Sequence, residues 1–313
     1  MVKMKGMVLV TERDSTHEDA IKMLEMAGFS VDFAGSPDLN EPGNSKKLEN
    51  ADALLVNVFT SVDKNILGNA KNLKAIIACC AGTDKIDMDE CRKRGIKIYN
   101  SPGANANAVA EHTVALMFAV LRKLLEADKT TRDGKWERMK FLSYELNGKT
   151  VGIAGFGAIG KLVAKKLQGF GVDILAYDPF LAEAQIGNED LKVRKVSDIR
   201  DLLKESDIVT IHVPLSEKTK HLIGKKELGL MKKNAILINT SRGAVVNEQA
   251  LVDALKSKKI YGAGLDVFEN EPPAGSELLK LKNTVITPHI AAMTEEAFRS
   301  MCMLAVEMFL MDR

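Results

Sequence analysis

The stretch VGIAGFGAIG, residues 151–160, joins an apolar run typical of a β-strand to three glycines spaced Gly-x-Gly-x-x-Gly. Residues 161–165 then continue in a helical pattern. Because glycine is a common residue, such spacing arises by chance in roughly one chain in ten of this length and is weak evidence alone. The context is more specific, because an acid, Asp178, ends the next apolar strand at roughly the 20-residue distance that a dinucleotide-binding loop requires.

The residue types in this loop suit a diphosphate. Gly155 permits a tight turn, Gly157 lets the backbone approach a pyrophosphate, and Gly160 lets the helix pack against its strand. Ala158 and Ile159 begin that helix, whose unpaired N–H groups offer partial positive charge to phosphates. The loop is therefore predicted to bind a dinucleotide, and a glycine-rich turn in an ordinary β–α unit is the alternative interpretation.

Asp178 and the residue after it, Pro179, predict which dinucleotide binds. The carboxylate can accept hydrogen bonds from both ribose hydroxyls of an adenosine and would repel a 2′-phosphate. Pro179 and Phe180 offer no cation to hold such a phosphate. The predicted cofactor is therefore NAD rather than NADP.

Length and composition limit the number of domains and the kinds of partner and site that the chain can have. A chain of 313 residues with 46% hydrophobic residues exceeds the usual size of one domain and can build two cores. Its formal charge of +2 comes from 44 cations and 42 anions without a basic tract, so no nucleic-acid partner is expected. The four cysteines show no metal-ligand spacing, so neither a metal site nor a disulfide framework is expected.

The apolar runs of the chain are short. The apolar stretch near the N-terminus is too short for a signal peptide, and the longest run, Val114 to Leu121, is too short to cross a bilayer. The protein is therefore expected to be cytoplasmic and to have no membrane partner.

Strand-like and helical patterns alternate in two series, which is typical of β–α–β units with parallel sheets. Strands are predicted at 7–10, 31–34, 53–58, 75–78 and 96–99, and then at 150–154, 172–177, 208–211, 235–239, 261–264 and 285–287. A long helix is predicted from Ala104 to about Lys129, and an amphipathic helix from Thr294 to Met311, which could fold back on the first series. The pattern predicts an α/β protein with two doubly wound parallel sheets, the second of six strands and of the Rossmann type.

Ligands of open α/β sheets bind beyond the carboxyl ends of the strands, so chemically active side chains are sought there. Arg242 follows the strand predicted at 235–239, and its guanidinium suits a carboxylate because it donates two parallel hydrogen bonds. His289 and His212 follow two other strands, and either imidazole could carry a proton near neutral pH. Spacing alone does not choose between these two histidines.

Acidic side chains near the same strand ends could orient the base. Glu269 and Glu271 both compete for this role, because a nearby carboxylate raises the pKa of an imidazole and fixes its ring. Asp266 could bind a nicotinamide carboxamide, or it could cap the next turn. The three remaining histidines are predicted to be surface or packing residues: His17, His112 and His221.

Several stretches together resemble one known family over nearly the full length of the chain. They are AGTDKID at 81–87, NAVAEHTVALM at 107–117, VGIAGFGAIG at 151–160, HVPLSEKTKHLIG at 212–224, INTSRGAVVNEQAL at 238–251, GAGLDVFENEPP at 262–273 and TPHIA at 287–291. The chain resembles the D-isomer-specific 2-hydroxyacid dehydrogenases, which transfer a hydride between NAD(H) and C2 of a 2-hydroxy acid. The match to these motifs is far more specific than the glycine spacing.

The resemblance implies roles for particular residues. Arg242 would bind the substrate carboxylate and carbonyl, Glu271 would be the partner acid, and His289 would donate and accept the proton. Backbone amides around Ala81 and Gly82 would face the substrate carboxylate. The remaining NAD pocket would be lined by His212, Val213, Pro214, Thr219, Thr240, Ser241 and Asp266.

The resemblance also implies the domain arrangement. Residues 1–101 would form the first part of a flavodoxin-like, split substrate domain, residues 102–288 the Rossmann NAD domain, and residues 289–313 a C-terminal helix returning to the substrate domain. Family members are typically homodimers through the NAD domain, so a homodimer is expected.

Within the family the chain most resembles the short phosphoglycerate dehydrogenases and the glyoxylate/hydroxypyruvate reductases, and an activity of the first kind is the first prediction. The alternative is a glyoxylate or hydroxypyruvate reductase. Asn57 and Ala78 stand where the phosphoglycerate enzymes usually carry arginines, and the cations that could substitute are Lys85, Arg13 and Lys64. From a different class, an NAD-sensing corepressor-like binding protein would share the fold and the same three side chains.

Overall fold

A computed structural model of the chain describes residues 5–36, 38–182 and 191–312. The chain divides into two compact units, one reaching Asn105 and resuming at Met293, the other spanning Ala106–Ala292. The boundaries implied by the resemblance, after residues 101 and 288, lie a few residues before these divisions.

The first unit contains a five-stranded sheet in which all strand pairs are parallel, in the order β2-β1-β3-β4-β5. Its strands are β1 (Met7–Val10), β2 (Ser30–Phe33), β3 (Ala53–Val56), β4 (Ala75–Ala78) and β5 (Lys97–Tyr99). Every residue of β3 and β4 is buried, as expected when both faces of a parallel sheet are covered. The strand order is that of flavodoxin-like sheets, so the predicted fold class of this unit is confirmed.

Short helices connect these strands. They are α1 (Glu18–Met26), α2 (Pro42–Asn50), α3 (Lys64–Asn69) and α4 (Met88–Arg94). Asp63 and Asp87 cap α3 and α4, because each carboxylate accepts hydrogen bonds from N–H groups of the first turn. These caps place both helices directly after the loops that leave β3 and β4.

The second unit contains a seven-stranded parallel sheet in the order β12-β11-β10-β9-β6-β7-β8. Its strands are β6 (Thr150–Ala154), β7 (Asp173–Tyr177), β8 (Arg194–Lys195), β9 (Ile208–Ile211), β10 (Ile236–Asn239), β11 (Gly262–Leu265) and β12 (Thr284–Ile286). The prediction of six strands missed β8, a two-residue edge strand of charged residues that carries no hydrophobic pattern. The order is that of a Rossmann sheet, so this fold class is also confirmed.

Helices of the second unit cover its sheet. They are α5 (Ala106–Leu121), α6 (Leu124–Arg132), α7 (Ala158–Leu167), α8 (Ile199–Glu205), α9 (Lys225–Leu230) and α10 (Glu248–Lys256). The single long helix predicted from Ala104 to about Lys129 is wrong, since α5 and α6 are separate. Lys123 has a positive φ of 52°, a left-handed conformation that ends the hydrogen-bond ladder of α5. Apolar residues continue past this break at Leu124 and Leu125, so the sequence pattern does not reveal it.

The last helix, α11 (Glu295–Met311), belongs to the first unit. It packs against α1, β4 and β5. Its buried Phe309 contacts two aromatic rings, with ring centroids 5.2 Å from Phe29 and 5.6 Å from Tyr99. In the described part of the chain, no helix is both long and apolar enough to cross a membrane.

Candidate active site

The glycine loop follows β6 at the point where the sheet order reverses between β6 and β9. Gly155 has a φ of +91°, and a Cβ there would lie 2.6 Å from the carbonyl oxygen of His212. A Cβ on Gly160 would clash with the carbonyl oxygen of Gly155. Gly157 is exposed, and a Cβ there would meet nothing within 4 Å. Two glycines therefore allow close packing, while the third leaves open space at the N-terminus of α7.

Asp178 lies beside this loop, because β6 and β7 are adjacent and Ala154 pairs with Tyr177. Its Oδ2 accepts a hydrogen bond from the Phe156 N–H at 3.0 Å, and its Oδ1 accepts one from the Phe180 N–H at 3.0 Å. These bonds fix the half-buried carboxylate in one orientation. Each oxygen retains a second lone pair, which could accept a ribose hydroxyl.

His212 follows β9, the other strand at this switch point. Its Nε2 lies 2.9 Å from Thr210 Oγ1, and its buried Nδ1 has no hydrogen-bond partner among the described residues. Burial lowers the pKa of His212 to about 3, because the charged imidazolium loses its hydration. A ring that is neutral across the physiological range does not suit a proton donor, which weighs against His212 in that role.

The residues after His212 form a tight turn. Thr219 Oγ1 donates to the Pro214 carbonyl at 2.6 Å and accepts a hydrogen bond from the Ser216 N–H at 2.8 Å. Pro214 is exposed and Val213 is half-buried. Thr219, predicted to line the cofactor pocket, therefore closes this turn.

His289 follows β12 and forms a close pair with Glu271. Its Nδ1 lies 2.8 Å from Glu271 Oε2, and Glu271 Oε1 accepts a hydrogen bond from the Phe268 N–H at 3.2 Å. Because an ionised carboxylate can only accept, Nδ1 carries the proton in this pair. Nε2 is then the nitrogen that can exchange a proton with another molecule. The side chains of His289 and Glu271 are 22% and 27% exposed, so solvent reaches the pair.

The second glutamate of this segment, Glu269, pairs with a different histidine. His221 Nε2 lies 3.0 Å from Glu269 Oε1, which also accepts a hydrogen bond from the Glu248 N–H at 2.8 Å. Of the two glutamates that the sequence left open, Glu271 is therefore the one beside His289. His221, predicted to be a surface or packing residue, is a half-buried partner of an acid.

Asp266 is fully buried and holds the loop that carries His289. Its carboxylate accepts hydrogen bonds from the N–H groups of Ile290 and Ala291, at 2.9 Å and 2.8 Å, and from the Thr287 hydroxyl. Its backbone carbonyl accepts a hydrogen bond from the His289 N–H at 2.9 Å. The structure therefore favours the second interpretation given for Asp266, a residue that caps a turn, over direct contact with a carboxamide.

The backbone of His289 is strained. Its φ of 55° lies in the left-handed region, which non-glycine residues adopt at a cost of order 1–3 kcal/mol. The hydrogen bonds from this loop to Asp266 offset that cost. The loop therefore depends on its polar supports for its shape.

Sequence reasoning missed His112 as part of this support. Its Nε2 lies 3.1 Å from Thr287 Oγ1 and 3.6 Å from Asp266 Oδ1. The prediction of a surface or packing residue is therefore incomplete. A polar imidazole inside the apolar helix pattern around Val109 and Met117 was the available signal.

The loop that carries Arg242 follows β10 and is shaped by Asn239. The Asn239 Oδ1 accepts hydrogen bonds from Ser241 N–H and Oγ, at 3.0 Å and 2.8 Å, and its Nδ2 donates to the Arg242 carbonyl at 2.9 Å. Thr240 Oγ1 lies 2.8 Å from Thr113 Oγ1 of α5. The half-buried Arg242 donates from Nη1 to the Ser241 carbonyl at 2.8 Å. Asn239 is a second residue that sequence reasoning missed, although a polar residue ending a buried strand is a detectable signal.

Close packing joins this loop to the segment that carries Glu271. A Cβ on Gly243 would overlap the backbone carbonyl of Phe268, so only glycine allows this contact. β10, β11 and β12 are adjacent and parallel, with Asn239 opposite Leu265 and Leu265 opposite Ile286. The loops with Arg242, Glu271 and His289 therefore leave the same edge of one sheet.

In the first unit, Ala81 and Gly82 follow the end of β4. The Ala81 carbonyl accepts a hydrogen bond from Asn100 Nδ2 at 2.8 Å, and the Gly82 carbonyl accepts one from Cys80 Sγ at 3.1 Å. The N–H groups of Ala81 and Gly82 donate to no acceptor among the described residues. The resemblance implies that these N–H groups face the substrate carboxylate.

Two further residues of the first unit bear on the substrate. Asn57 follows β3 and is 8% exposed; its Oδ1 accepts a hydrogen bond from the Phe59 N–H at 2.8 Å, and its buried Nδ2 has no partner among the described residues. Ala78, the last residue of β4, is fully buried. The guanidinium of Arg13 lies 5.0 Å from the centroid of the Phe33 ring.

Comparison with known proteins shows the family to which the chain belongs. Residues 114–291 match the family model of the D-isomer specific 2-hydroxyacid dehydrogenase NAD binding domain. The chain is 45% identical to glyoxylate reductase of Thermococcus litoralis, covering 97% of this chain and 92% of that protein. It is 42% identical to D-3-phosphoglycerate dehydrogenase of Methanocaldococcus jannaschii over 93% of this chain, but spans only 55% of that protein. The structure of D-lactate dehydrogenase from Aquifex aeolicus with NAD and lactic acid aligns with a TM-score of 0.85 at 31% identity, covering 96% and 94% of the two chains.

The chain belongs to the D-isomer specific 2-hydroxyacid dehydrogenases, which are NAD-dependent oxidoreductases. The cofactor is NAD, and the residues at the switch point fit it. The open space at Gly157 allows a diphosphate to approach the N-terminus of α7, and Asp178 is held with lone pairs available for ribose hydroxyls. The unpartnered Nδ1 of His212 offers a further polar contact in the same region.

Proposed function

We propose that this protein reduces a small, unphosphorylated 2-keto acid such as glyoxylate or hydroxypyruvate at C2, with His289 as the proton donor. The observation that carries the proposal is the pair formed by His289 Nδ1 and Glu271 Oε2, 2.8 Å apart at the carboxyl edge of the sheet. The same edge carries the Arg242 loop. Its guanidinium is the group suited to hold a substrate carboxylate.

In this mechanism each side chain has one task. NADH, when bound, supplies the hydride that reduces C2. His289 Nε2 donates a proton to the keto oxygen, so the carbonyl becomes a hydroxyl, and the ring later regains a proton from solvent. Glu271 keeps Nδ1 protonated and stabilises the imidazolium, and Arg242 orients the substrate through its carboxylate. Oxidation of the 2-hydroxy acid uses the same groups in reverse.

The choice of an unphosphorylated substrate rests on the first unit. A phosphate dianion requires cationic partners, and the phosphoglycerate enzymes usually carry arginines where this chain has Asn57 and Ala78. Asn57 presents a neutral amide, and the guanidinium of Arg13 faces the Phe33 ring. Relatives named glyoxylate reductase and hydroxypyruvate reductase, at 45% and 44% identity, support an unphosphorylated substrate as the first candidate. Reduction of a phosphorylated keto acid, the first prediction from sequence, becomes the second candidate, supported by the relative named D-3-phosphoglycerate dehydrogenase.

The test is NADH oxidation with glyoxylate, hydroxypyruvate, pyruvate and phosphohydroxypyruvate, each repeated with NADPH. We expect the highest kcat/KM with glyoxylate or hydroxypyruvate, and NADH preferred because Asp178 repels a 2′-phosphate. If kcat/KM is instead highest with phosphohydroxypyruvate, the result supports the activity of a phosphoglycerate dehydrogenase. NADH binding without reduction of any keto acid would favour the NAD-sensing binding protein.

We also propose a homodimer formed through the NAD-binding unit. Between residues 124 and 142 of this unit, five large apolar side chains are at least half exposed: Leu124 50%, Leu125 55%, Trp136 80%, Met139 81% and Leu142 77%. Such exposure within one short segment is unusual for a monomer and suits an interface. A second copy of the chain is the partner that the family resemblance supports.

A further inference from the structure

A chain of hydrogen bonds connects helix α5 to the loop of His289. His112 Nε2 lies 3.1 Å from Thr287 Oγ1, and the Thr287 hydroxyl bonds Asp266 Oδ1. Asp266 in turn accepts from the backbone N–H groups of Ile290 and Ala291. The chain thus reaches both sides of His289 without contacting its imidazole.

Chemistry determines the direction of each bond. An ionised Asp266 can only accept, so the Thr287 hydroxyl uses its single proton toward Asp266. Thr287 Oγ1 must then accept from His112, which requires a proton on Nε2. This nitrogen carries the proton in the cationic ring and in one of the two neutral tautomers. The geometry therefore selects a donor at position 112.

The supported loop requires such restraint. His289 has a left-handed φ of 55°, and its N–H donates to the Asp266 carbonyl at 2.9 Å. Asp266 is fully buried, so a hydrogen bond lost there is not replaced by water without rearrangement. A shift of the Asp266 carboxylate would pass directly to Ile290 and Ala291, which follow His289.

We propose that His112 is a positioning residue for hydride transfer: it fixes the Thr287 hydroxyl and Asp266, and through them the strained loop that aims His289. The inference rests on the proposed role of His289 as proton donor. It assigns a function to the histidine of the sequence NAVAEHTVALM, which neither the NAD pocket nor the substrate contacts account for.

Its neighbours on α5 show why packing alone does not explain this residue. The His112 side chain is 21% exposed and points its Nε2 at two polar partners. Glu111, one residue earlier, is exposed and pairs with Lys166 at 3.0 Å. Glu111→Gln is therefore a matched control on the same helix, because it removes a charge without touching the loop.

The experiment compares His112→Leu, which keeps the bulk but removes the donor, with His112→Gln, whose amide nitrogen reaches about as far as Nε2. For His112→Leu we expect kcat for glyoxylate or hydroxypyruvate to fall about three- to tenfold, the range of one neutral hydrogen bond. KM for the keto acid and the NADH dissociation constant should change less than about twofold, since a positioning residue that bonds Thr287 acts on the chemical step rather than on ligand binding. His112→Gln should retain at least about half of the wild-type kcat, and Glu111→Gln all of it.

Two further arms separate positioning from a general loss of stability. Because Thr287→Val breaks the same chain, the double variant with His112→Leu should lose little more kcat than Thr287→Val alone. In a His289→Asn background, His112→Leu should cause no additional loss. If His112→Leu does not fold, His112→Asn, whose amide is too short to reach Thr287, provides the same measurement.

The outcomes distinguish this inference from the proposed function. Unchanged kcat in His112→Leu, equal losses in the Leu and Gln variants, or multiplicative losses with Thr287→Val would overturn the positioning role while His289→Asn still stops turnover. Full activity of His289→Asn would instead overturn the proton-transfer assignment itself, whatever His112 does.

Discussion

At the scale of residues, the second unit contains two histidine–glutamate pairs that differ in position. His289 and Glu271 follow the adjacent strands β12 and β11, whereas His221 lies in the segment after β9 and pairs with Glu269. Both pairs have short separations, 2.8 Å and 3.0 Å, so distance does not distinguish them. Both histidines also have a left-handed φ, 55° for His289 and 53° for His221. The first pair is the candidate for proton transfer because His289 Nδ1 is hydrogen-bonded to Glu271, whereas His221 Nε2 has no hydrogen-bond partner among the described residues.

This difference predicts opposite outcomes for matched substitutions. His289→Asn should lower kcat by about 10²–10⁴-fold, because it removes the general acid. His221→Asn should leave kcat within about threefold, since a half-exposed ion pair contributes little. Steady-state NADH oxidation measures both, and fluorescence titration should show unchanged NADH affinity. If kcat of His289→Asn stays within tenfold of the wild-type value, His289 is not the group that transfers the proton.

His212 predicts a pH dependence of stability rather than of catalysis. Burial lowers its pKa from 6.5 to about 3. Between these two pH values, His212 is therefore protonated in the unfolded chain but neutral in the folded chain. The free energy of unfolding should therefore decrease from pH 6.5 toward pH 3. In His212→Asn this decrease should be shallower, as measured by urea denaturation at several pH values. Parallel curves for the two proteins would show that His212 is not desolvated.

At the scale of elements, the turns after the strands decide the site. Gly155 and Gly160 are required by close backbone contacts, whereas Gly157 faces open space at the start of α7. Asn239 and Asp266 fix the shape of two other loops, because each side chain forms hydrogen bonds with the backbone of the turn that follows it. The sheet therefore provides a rigid edge, and polar side chains shape each loop on it.

The glycine loop predicts a separation of stability from cofactor affinity. Gly157→Ala should leave the melting temperature nearly unchanged but weaken NADH binding by about tenfold or more, because the methyl group occupies the approach of the diphosphate. Gly160→Ala should instead reduce the free energy of unfolding by about 1–3 kcal/mol through overpacking against Gly155. Thermal melts and NADH titration measure both effects. Equal NADH affinity of Gly157→Ala and the wild type would place the diphosphate elsewhere.

At the scale of the whole molecule, each unit has its own parallel sheet and places its candidate site loops at the carboxyl ends of strands. Asn57, Ala81 and Gly82 follow β3 and β4 in one unit, and the residues assigned to NAD and proton transfer follow strands of the other. The chain runs from the first unit into the second and returns through α11.

The exposed apolar segment at residues 124–142 of the NAD-binding unit predicts that the protein is a dimer. We expect light scattering to give a mass of about twice the 34.2 kDa chain. The double variant Trp136→Ser/Met139→Ser should shift the protein toward the monomer, because it removes two apolar side chains that are 80% and 81% exposed. Phe180→Ser, at an 87% exposed apolar residue outside this segment, is the control. A monomeric wild type, or a dimer unaffected by the double variant, would contradict the proposed interface.

Much of this protein follows from the order of its residues alone. Alternating apolar runs predicted the strands to within two residues at their ends, except for β8, because buried strands and helices leave periodic patterns in a chain. The glycine spacing with Asp178 likewise predicted NAD as the cofactor, since local backbone geometry dictates those residue types.

Tertiary structure alone decided between residues that satisfy the same local pattern. Whether Glu269 or Glu271 accompanies His289, whether His212 stays neutral, and what His112 contacts all depend on distances between segments far apart in sequence. The break between α5 and α6 also escaped the pattern, because a backbone angle at Lys123 leaves no trace in hydrophobicity. Periodicity records which residues are buried, whereas hydrogen-bond partners and desolvation are set only when the strands meet in one sheet.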